Sequence, residues 1–203
     1  MEYNPVARFR VDLPRAERRH PWLRHLFDLY ALVDASVAEA LDDAGREGRR
    51  AGCAKGCHNC CRQMLIPVTP LEAAGLRWYV REEMARETLA ALRERSGTRG
   101  TDGGPDCRFL LAGVCAAYSV RPVACRRYMV LGSPCAPGED AVATRPAEVL
   151  RPSREKMNAA YAATLPYYAA LGEETPEPEG AFAFMAARTV LLATLAPDIL
   201  QGR

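Results

Sequence analysis

Residues 53–61 read Cys-Ala-Lys-Gly-Cys-His-Asn-Cys-Cys, a first cysteine block with four thiols in nine positions. The packing of a hydrophobic core does not require such a density of thiols. Thiolates are strong ligands of zinc and iron, and several of them on one short loop can replace the water around such an ion. We therefore predict that the eight cysteines of the chain hold a metal centre. The candidate ligands are Cys53, Cys57, Cys60 and Cys61 in the first block and Cys107, Cys115, Cys125 and Cys135 in a second block.

Composition and charge limit the classes of partner. The chain has 203 residues, and 27 Lys and Arg against 25 Asp and Glu give a formal net charge of +2. So balanced a charge does not indicate nucleic acid or an anionic membrane as a standing partner. The start of the chain shows no basic segment followed by an apolar one, and no run approaches the about 18 apolar residues that span a bilayer. We therefore expect a cytoplasmic protein whose cysteines are metal ligands rather than disulfides, because that compartment is reducing.

Apolar residues recur at helical spacing over most of the chain. Between about residues 14 and 48 they lie three or four positions apart, which predicts one amphipathic helix. The clearest helix start is Thr69, since Pro70 suits the first helical position and Glu72 completes a capping box. We expect this helix to run to about residue 95. Two further helices are predicted, over residues 154–171 with an interruption near Pro166 and over residues 181–195.

The segments that carry the second cysteine block are predicted to be mostly turns and loops. Between Cys107 and Cys115 the sequence predicts a hairpin or tight turn around Gly113. Pro122 predicts the start of a short helix that carries Cys125. Cys135 follows in a Gly-Ser-Pro-Cys-Ala-Pro-Gly segment, which is predicted to be a loop.

These patterns predict a mainly α fold: a single domain of amphipathic helices over residues 1–203, with irregular cysteine-rich loops organised around a metal site. Residues 53–135 form its metal-binding core, and residues 1–52 and 136–203 form flanking helical regions. Residues 96–106, rich in glycine, are predicted to be a mobile loop.

Three motifs in the two cysteine blocks are similar to those of a known family. They are Cys57-His-Asn-Cys60-Cys61-Arg62, Cys107-Arg-Phe-Leu110, and a segment with Cys115, Tyr118, Arg121, Pro122, Cys125 and Arg126. With these motifs the chain resembles the YkgJ-type cysteine cluster proteins, also described as CxxCxxCC zinc- or iron-chelating domains, over roughly residues 53–135. Three residues separate Cys53 from Cys57 where the family pattern has two, so Cys53 matches least well. The resemblance implies metal chelation and no common reaction, although a flagellin lysine methylase with this kind of cluster shows that the domain can sit in enzymes.

The spacing of the cysteines bears on the identity of the metal. Structural zinc sites usually take their ligands from two short Cys-x-x-Cys-like knuckles; Cys57 and Cys60 form one, but the gaps in the second block are seven, nine and nine residues. The triplet Cys53, Cys57 and Cys60 can instead hold three irons of a four-iron cluster, with Cys125 as the fourth ligand. We therefore favour a 4Fe-4S iron-sulfur cluster over zinc. Radical-SAM enzymes share this triplet, but their parallel barrel needs β-branched strands that this chain lacks.

Cys60 and Cys61 are adjacent, so their side chains are expected to diverge by about 100° in a helix or about 180° in a strand. Equivalent ligation of one small ion by both is therefore not expected. Three alternatives are open: the two thiols serve two centres, one ligates while the other is a neighbouring or reactive thiol, or one is simply a buried apolar residue.

Charged residues border the thiols in both blocks. Arg62, Arg121 and Arg126 would lower the pKa of neighbouring thiols and offset the negative charge of a thiolate-bound centre. An ordinary salt bridge to one of the many Glu residues is the alternative role for these arginines. His58, within the first block, would ligate the metal or donate to sulfur, and exposure beside the site is the alternative.

Three functions agree with these features. The first is a metal-binding cysteine cluster protein, iron-sulfur or zinc, in electron transfer, metal handling or as a subunit of a modifying system. The second is an iron-dependent enzyme that modifies a small molecule or peptide; no nucleophile–base pair is recognisable, so no catalytic residue is assigned. The third is a structural zinc domain with a helical partner-binding surface. The metal ion or cluster is the predicted partner, with a protein or peptide as a further candidate.

Overall fold

The computed structural model describes residues 7–54, 56–62, 65–95 and 106–202. These residues are mainly helical, as predicted. The helices are Pro14–Arg19 (α1), Leu23–Arg46 (α2), Pro70–Glu82 (α3), Arg86–Glu94 (α4), Val123–Arg127 (α5), Ala141–Thr144 (α6), Arg154–Ala162 (α7), Leu165–Ala170 (α8), Ala181–Ala186 (α9) and Leu192–Gln201 (α10). Two antiparallel pairs of two-residue strands join Pro67–Val68 (β1) to Val190–Leu191 (β4) and Leu110–Leu111 (β2) to Val114–Cys115 (β3).

Helix α2 is the central element of the hydrophobic core. Its apolar face is inaccessible to solvent, since Leu23, Leu26, Phe27, Tyr30 and Val33 are each at most 1 % exposed. This face packs against α3, α5 and α7, which come from distant parts of the chain. The short helix α5, which carries Cys125, is therefore held on the longest helix of the described chain.

The single helix predicted between residues 14 and 48 is wrong, because the structure divides it into α1 and α2. The break lies at His20, whose φ of −131° and ψ of 81° are not helical. Pro21 follows it, and a proline disfavours helical dihedrals in the residue before it. The predicted apolar face survives on α2.

The helix predicted from Thr69 to residue 95 begins as expected but is also divided. Thr69 caps α3 in a complete capping box with Glu72. Helix α3 ends at Glu82 and α4 begins at Arg86, although the intervening Glu-Met-Ala contains no helix breaker. Both helices pack against α10, which is about 15 Å long, whereas the uninterrupted helix would be about 39 Å long. We attribute the break to this tertiary packing.

The C-terminal half departs from the predicted helices in one respect. The interruption expected near Pro166 is present between α7 and α8. The single helix expected over residues 181–195 is wrong: α9 ends at Ala186, and Val190–Leu191 instead pairs with Pro67–Val68. A β-branched residue suits such a pairing.

A small apolar cluster lies apart from the main core. It consists of Val130, Cys135 and Ala141, with Cys53, Tyr128 and Val149 packed against it. Of the predicted mobile loop 96–106, residues 96–105 lie outside the described residues. Within the described parts of the chain, no helix is long and apolar enough to cross a membrane.

Candidate metal centre

The start of the first cysteine block is tied to the segment that precedes Cys135. The amide of Gly52 donates to the carbonyl of Val130 at 2.7 Å, and the amide of Gly132 donates to the carbonyl of Arg50 at 2.7 Å. The two backbones approach so closely that a Cβ on Gly52 would lie 2.7 Å from the carbonyl oxygen of Ser133. Cys53 therefore follows directly after this contact and begins beside the segment that leads to Cys135.

The end of the first block is held by two other segments of the second block. The amide of Cys107 donates to the carbonyl of Cys61 at 2.6 Å, and the amide of Gly138 donates to the carbonyl of Asn59 at 3.1 Å. The side chain of Asn59 also donates to the carbonyl of Cys135 at 2.5 Å. Backbone contacts thus bring the two cysteine blocks together across about fifty residues of sequence.

The hairpin predicted around Gly113 is confirmed. Leu110 is paired with Cys115, and Gly113 has a φ of +77°, a conformation that glycine adopts without steric strain. The ring of His58 lies 3.5 Å from where a Cβ on Gly113 would be, so His58 covers the hairpin turn. Its Nδ1 contacts the carbonyl of Gly56 at 3.1 Å.

The short helix predicted after Pro122 is also confirmed. It is α5, and Pro122 occupies its N-cap position. The amide of Val123 donates to Oε1 of the buried Glu72 at 2.6 Å. Cys125 lies in the middle of this helix and is partly buried, and burial together with the neighbouring thiols of Cys107 and Cys60 raises its pKa.

Five thiols are linked because each affects the pKa of another or has its own pKa changed by another. We call them the five-thiol group: Cys60, Cys61, Cys107, Cys115 and Cys125. All five are partly buried. Burial raises the pKa of Cys107 to about 11 and also raises the pKa of Cys115. Neutral thiols are therefore the favoured state of Cys107 and Cys115 without metal, and metal binding would have to release their protons.

Cys60 and Cys61 interact directly within this group. They lie in the 3₁₀ turn Asn59–Arg62, and the thiol of Cys61 donates a hydrogen bond to Cys60. This bond lowers the pKa of Cys60 to about 7 and raises that of Cys61. Adjacent positions of a 3₁₀ turn are about 120° apart, and the expectation that the two thiols are not equivalent ligands of one ion stays a prediction.

The remaining cysteines form a three-thiol group: Cys53, Cys57 and Cys135. Cys135 is 6 % exposed and shares the small apolar cluster with Cys53, whereas Cys57 is exposed. Burial raises the pKa of Cys53, and the thiols of Cys57, Cys135 and Cys60 add to this effect. Cys60 therefore lies between the two groups.

The eight thiols are free, and their chemistry fits zinc or iron. Among the described residues, however, no three His, Cys, Asp or Glu side chains are placed to hold one ion. The five-thiol group comes from three segments that backbone hydrogen bonds and the core already hold together. Ligation would therefore require rotation of side chains rather than refolding of these segments.

The three arginines predicted to border the site have different surroundings. Arg126 is 6 % exposed; it forms an ion pair with Asp34 at 2.6 Å and donates to the carbonyls of Arg121 and Ser119. Its guanidinium also lies 3.8 Å from the ring centre of Tyr30. Arg126 thus makes an ordinary ion pair, with an Asp rather than a Glu, and it also holds the turn before α5 together.

Arg121 and Arg62 contact other partners. Arg121 stacks on the ring of Tyr118 at 4.0 Å, and its charge opposes the rise in the pKa of Cys115 caused by burial. Arg62 lies 3.8 Å from the carboxylate of Asp106, the residue before Cys107. Asp106 also pairs with Arg95 at 2.7 Å. These ion pairs connect the first block to the start of the second block.

Sequence reasoning missed a buried polar network beneath Cys125. Glu72 is 1 % exposed, Tyr30 is 1 % exposed, and Asp34 pairs with the buried Arg126. The capping box identified Glu72 as a local helix cap, but nothing in the sequence indicated its second bond to Val123. The signal in the sequence that could have pointed to this second bond is the carboxylate of Glu72 on the apolar face of a helix.

One family model matches part of the chain. The family model CxxCxxCC, described as a "Putative zinc- or iron-chelating domain", matches residues 52–149. This range contains all eight cysteines and extends past the predicted core of residues 53–135 to Val149, which packs on the small apolar cluster. Comparison with the curated proteins and with the solved structures gave no match.

Proposed function

We propose that this chain, in which residues 52–149 match the model of a zinc- or iron-chelating CxxCxxCC domain, holds its metal mainly through the five-thiol group. The observation that carries the proposal is the meeting of both cysteine blocks at the hydrogen bond from the amide of Cys107 to the carbonyl of Cys61. Four thiolates complete the coordination of a zinc ion or the external ligands of a 4Fe-4S cluster. Such a group would supply electron transfer or a bound metal ion for delivery.

The ligands we propose come from three separate segments. Cys60 and Cys61 contribute from the 3₁₀ turn, Cys107 and Cys115 from the hairpin region, and Cys125 from α5. The sequence had favoured Cys125 as the partner of Cys53, Cys57 and Cys60. Burial and the thiols of Cys107, Cys60 and Cys115 raise the pKa of Cys125, which supports a centre formed with the hairpin cysteines.

We propose an iron-sulfur cluster as the first candidate and zinc as the second. The five-thiol group contains no short Cys-x-x-Cys-like knuckle of the kind that structural zinc sites usually use, which favours iron-sulfur. Zinc is the second candidate, because four thiolates from distant segments can also close around a zinc ion. All five thiols are partly rather than fully buried, so exchange of electrons or metal with a protein partner is our proposed role, in preference to a purely structural one.

Cys53, Cys57 and Cys135 are proposed as ligands of a second, weaker site. Cys53 and Cys135 are held together by the small apolar cluster. The exposed Cys57 would be the ligand from which metal is most readily lost.

Anaerobic purification of the full chain, followed by metal and acid-labile sulfide analysis and an absorption spectrum, tests the proposal. Iron and sulfide in near-equal amounts with broad visible absorption would support the cluster. Zinc alone at full occupancy, after iron-replete anaerobic expression, would replace it with the zinc site. A folded protein with neither metal and eight titratable thiols would refute metal binding.

A further inference from the structure

The carboxylate of Glu72 makes two sets of hydrogen bonds in opposite directions. Its Oε2 accepts from the backbone amide of Thr69 at 2.9 Å and from the Thr69 hydroxyl at 2.8 Å, which completes the cap of α3. Its Oε1 accepts from the backbone amide of Val123 at 2.6 Å. A capping box needs only the first set, so the second bond is an additional tie between two helices that are 51 residues apart in sequence.

The position of α5 depends on such ties. It has five residues, too few to be stable as an isolated helix. The amides at the start of a helix have no partner within it, and Glu72 supplies one to Val123, the first residue of α5. On the other side, Arg126 clamps the turn before α5 to Asp34. The two ties hold Cys125 between α3 and α2.

A carboxylate can accept hydrogen bonds from both helix starts, because it has an acceptor oxygen on each side. An amide side chain has one acceptor oxygen, so it could satisfy either the amide of Thr69 or that of Val123 but not both. Glu72 is 1 % exposed, so water cannot readily replace a lost acceptor, and an unsatisfied buried amide would destabilise one of the two helix starts.

We propose that Glu72 is a positioning residue for the metal centre, which fixes α5 and thereby the backbone of Cys125 for ligation. This inference rests on the proposed function, in which Cys125 is a ligand. Glu72 does not touch the metal; it acts through Val123.

Four variants of the full chain separate this role from helix capping. Glu72→Met removes both acceptors at similar volume. Val123→Pro removes the donor of α5, and Pro122 already has the φ of −57° and ψ of 155° that a residue before proline prefers. Because Val123 is 1 % exposed, Val123→Ala, which loses apolar contacts but keeps the donor, is the control for Val123→Pro. Thr69→Val is the matched control, because it weakens the cap of α3 and leaves the bond from Val123 to Glu72 in place.

The probe is Co(II), loaded anaerobically, with its thiolate charge-transfer absorption and its rate of release to excess chelator as readouts. We expect Glu72→Met and Val123→Pro to release Co(II) about tenfold faster or more, since a buried hydrogen bond is lost and one of its partners is left unsatisfied. Thr69→Val should lower the unfolding midpoint but release Co(II) within about twofold of the wild-type rate, because it does not reach α5. If Glu72→Met does not fold, the comparison of Val123→Pro with Val123→Ala decides.

Equal release rates in Val123→Ala and Val123→Pro, or equal acceleration in Thr69→Val and Glu72→Met, would overturn the inference. Failure of the wild type to bind Co(II) through thiolates would instead count against the proposed function. In that case hydrogen exchange of residues 123–127 in the metal-free proteins still tests the tie, which predicts faster exchange in Glu72→Met than in Thr69→Val.

Discussion

Replacement of Gly52 by alanine should separate the first cysteine block from the segment that leads to Cys135. The added Cβ would lie 2.7 Å from the carbonyl oxygen of Ser133 and 2.9 Å from that of Gly132. Both are backbone atoms, so no side-chain rotation relieves the overlap and the two segments must move apart. Overpacking of this kind costs about 1–3 kcal/mol. In a chain of this size the melting temperature should fall by roughly 2–12 °C.

Gly45→Ala is the matched control for this substitution. Gly45 lies in the last turn of α2, and no atom lies within 4 Å of its added Cβ. Replacing a helical glycine by alanine stabilises a helix by about 0.5–1 kcal/mol. We therefore expect the melting temperature of Gly45→Ala to rise by about 1–4 °C.

Thermal unfolding of the metal-free proteins, followed by far-ultraviolet circular dichroism, measures both changes. A thiol reagent added to the folded proteins should also label Cys53 and Cys135 faster in Gly52→Ala, because the contact that shields Cys135 is opened. A melting temperature of Gly52→Ala at or above that of wild type, with unchanged labelling, would refute the close approach and the grouping of these two thiols.

Three further predictions concern charge and ligation. Arg126→Met should destabilise the protein by about 3 kcal/mol in urea unfolding, because a nearly buried ion pair loses one member. Addition of Asp34→Asn should recover part of this loss. If the free energies lost in the two single variants simply add up in the double variant, the ion pair is contradicted. Cys125→Ala should lower the metal content measured by elemental analysis further than Cys53→Ala does, because Cys125 belongs to the main centre; a metal content of Cys125→Ala equal to that of wild type would remove α5 from the centre. Hydrogen bonds from Thr144 and Arg145 lower the pKa of Glu139 to about 2. The ionised carboxylate of Glu139 therefore stabilises the fold fully above its ordinary pKa of 4.5, and this stabilisation is lost as the pH falls toward 2. The acid destabilisation between these values should be smaller in Glu139→Gln, and an unchanged profile would contradict the assignment.

Features set by neighbouring residues could be predicted. Thr69, Pro70 and Glu72 start α3 through bonds within four residues, and Gly113 allows the hairpin turn through its own φ. The break at Pro21 was equally local but was overlooked because the apolar spacing continues on both sides. The break between Glu82 and Arg86 has no local cause, since it follows from packing against α10.

The cysteine types and their density were enough to predict thiolate metal chemistry, because ligand preference is a property of the sulfur atom itself. The grouping of the thiols was not predictable, because it depends on where distant segments lie. The bond between Val123 and Glu72 spans 51 residues, and the pair of Arg126 with Asp34 spans 92. Such contacts carry no periodic or spacing signal in a single sequence, since they form only when α2, α3 and α5 pack on one core.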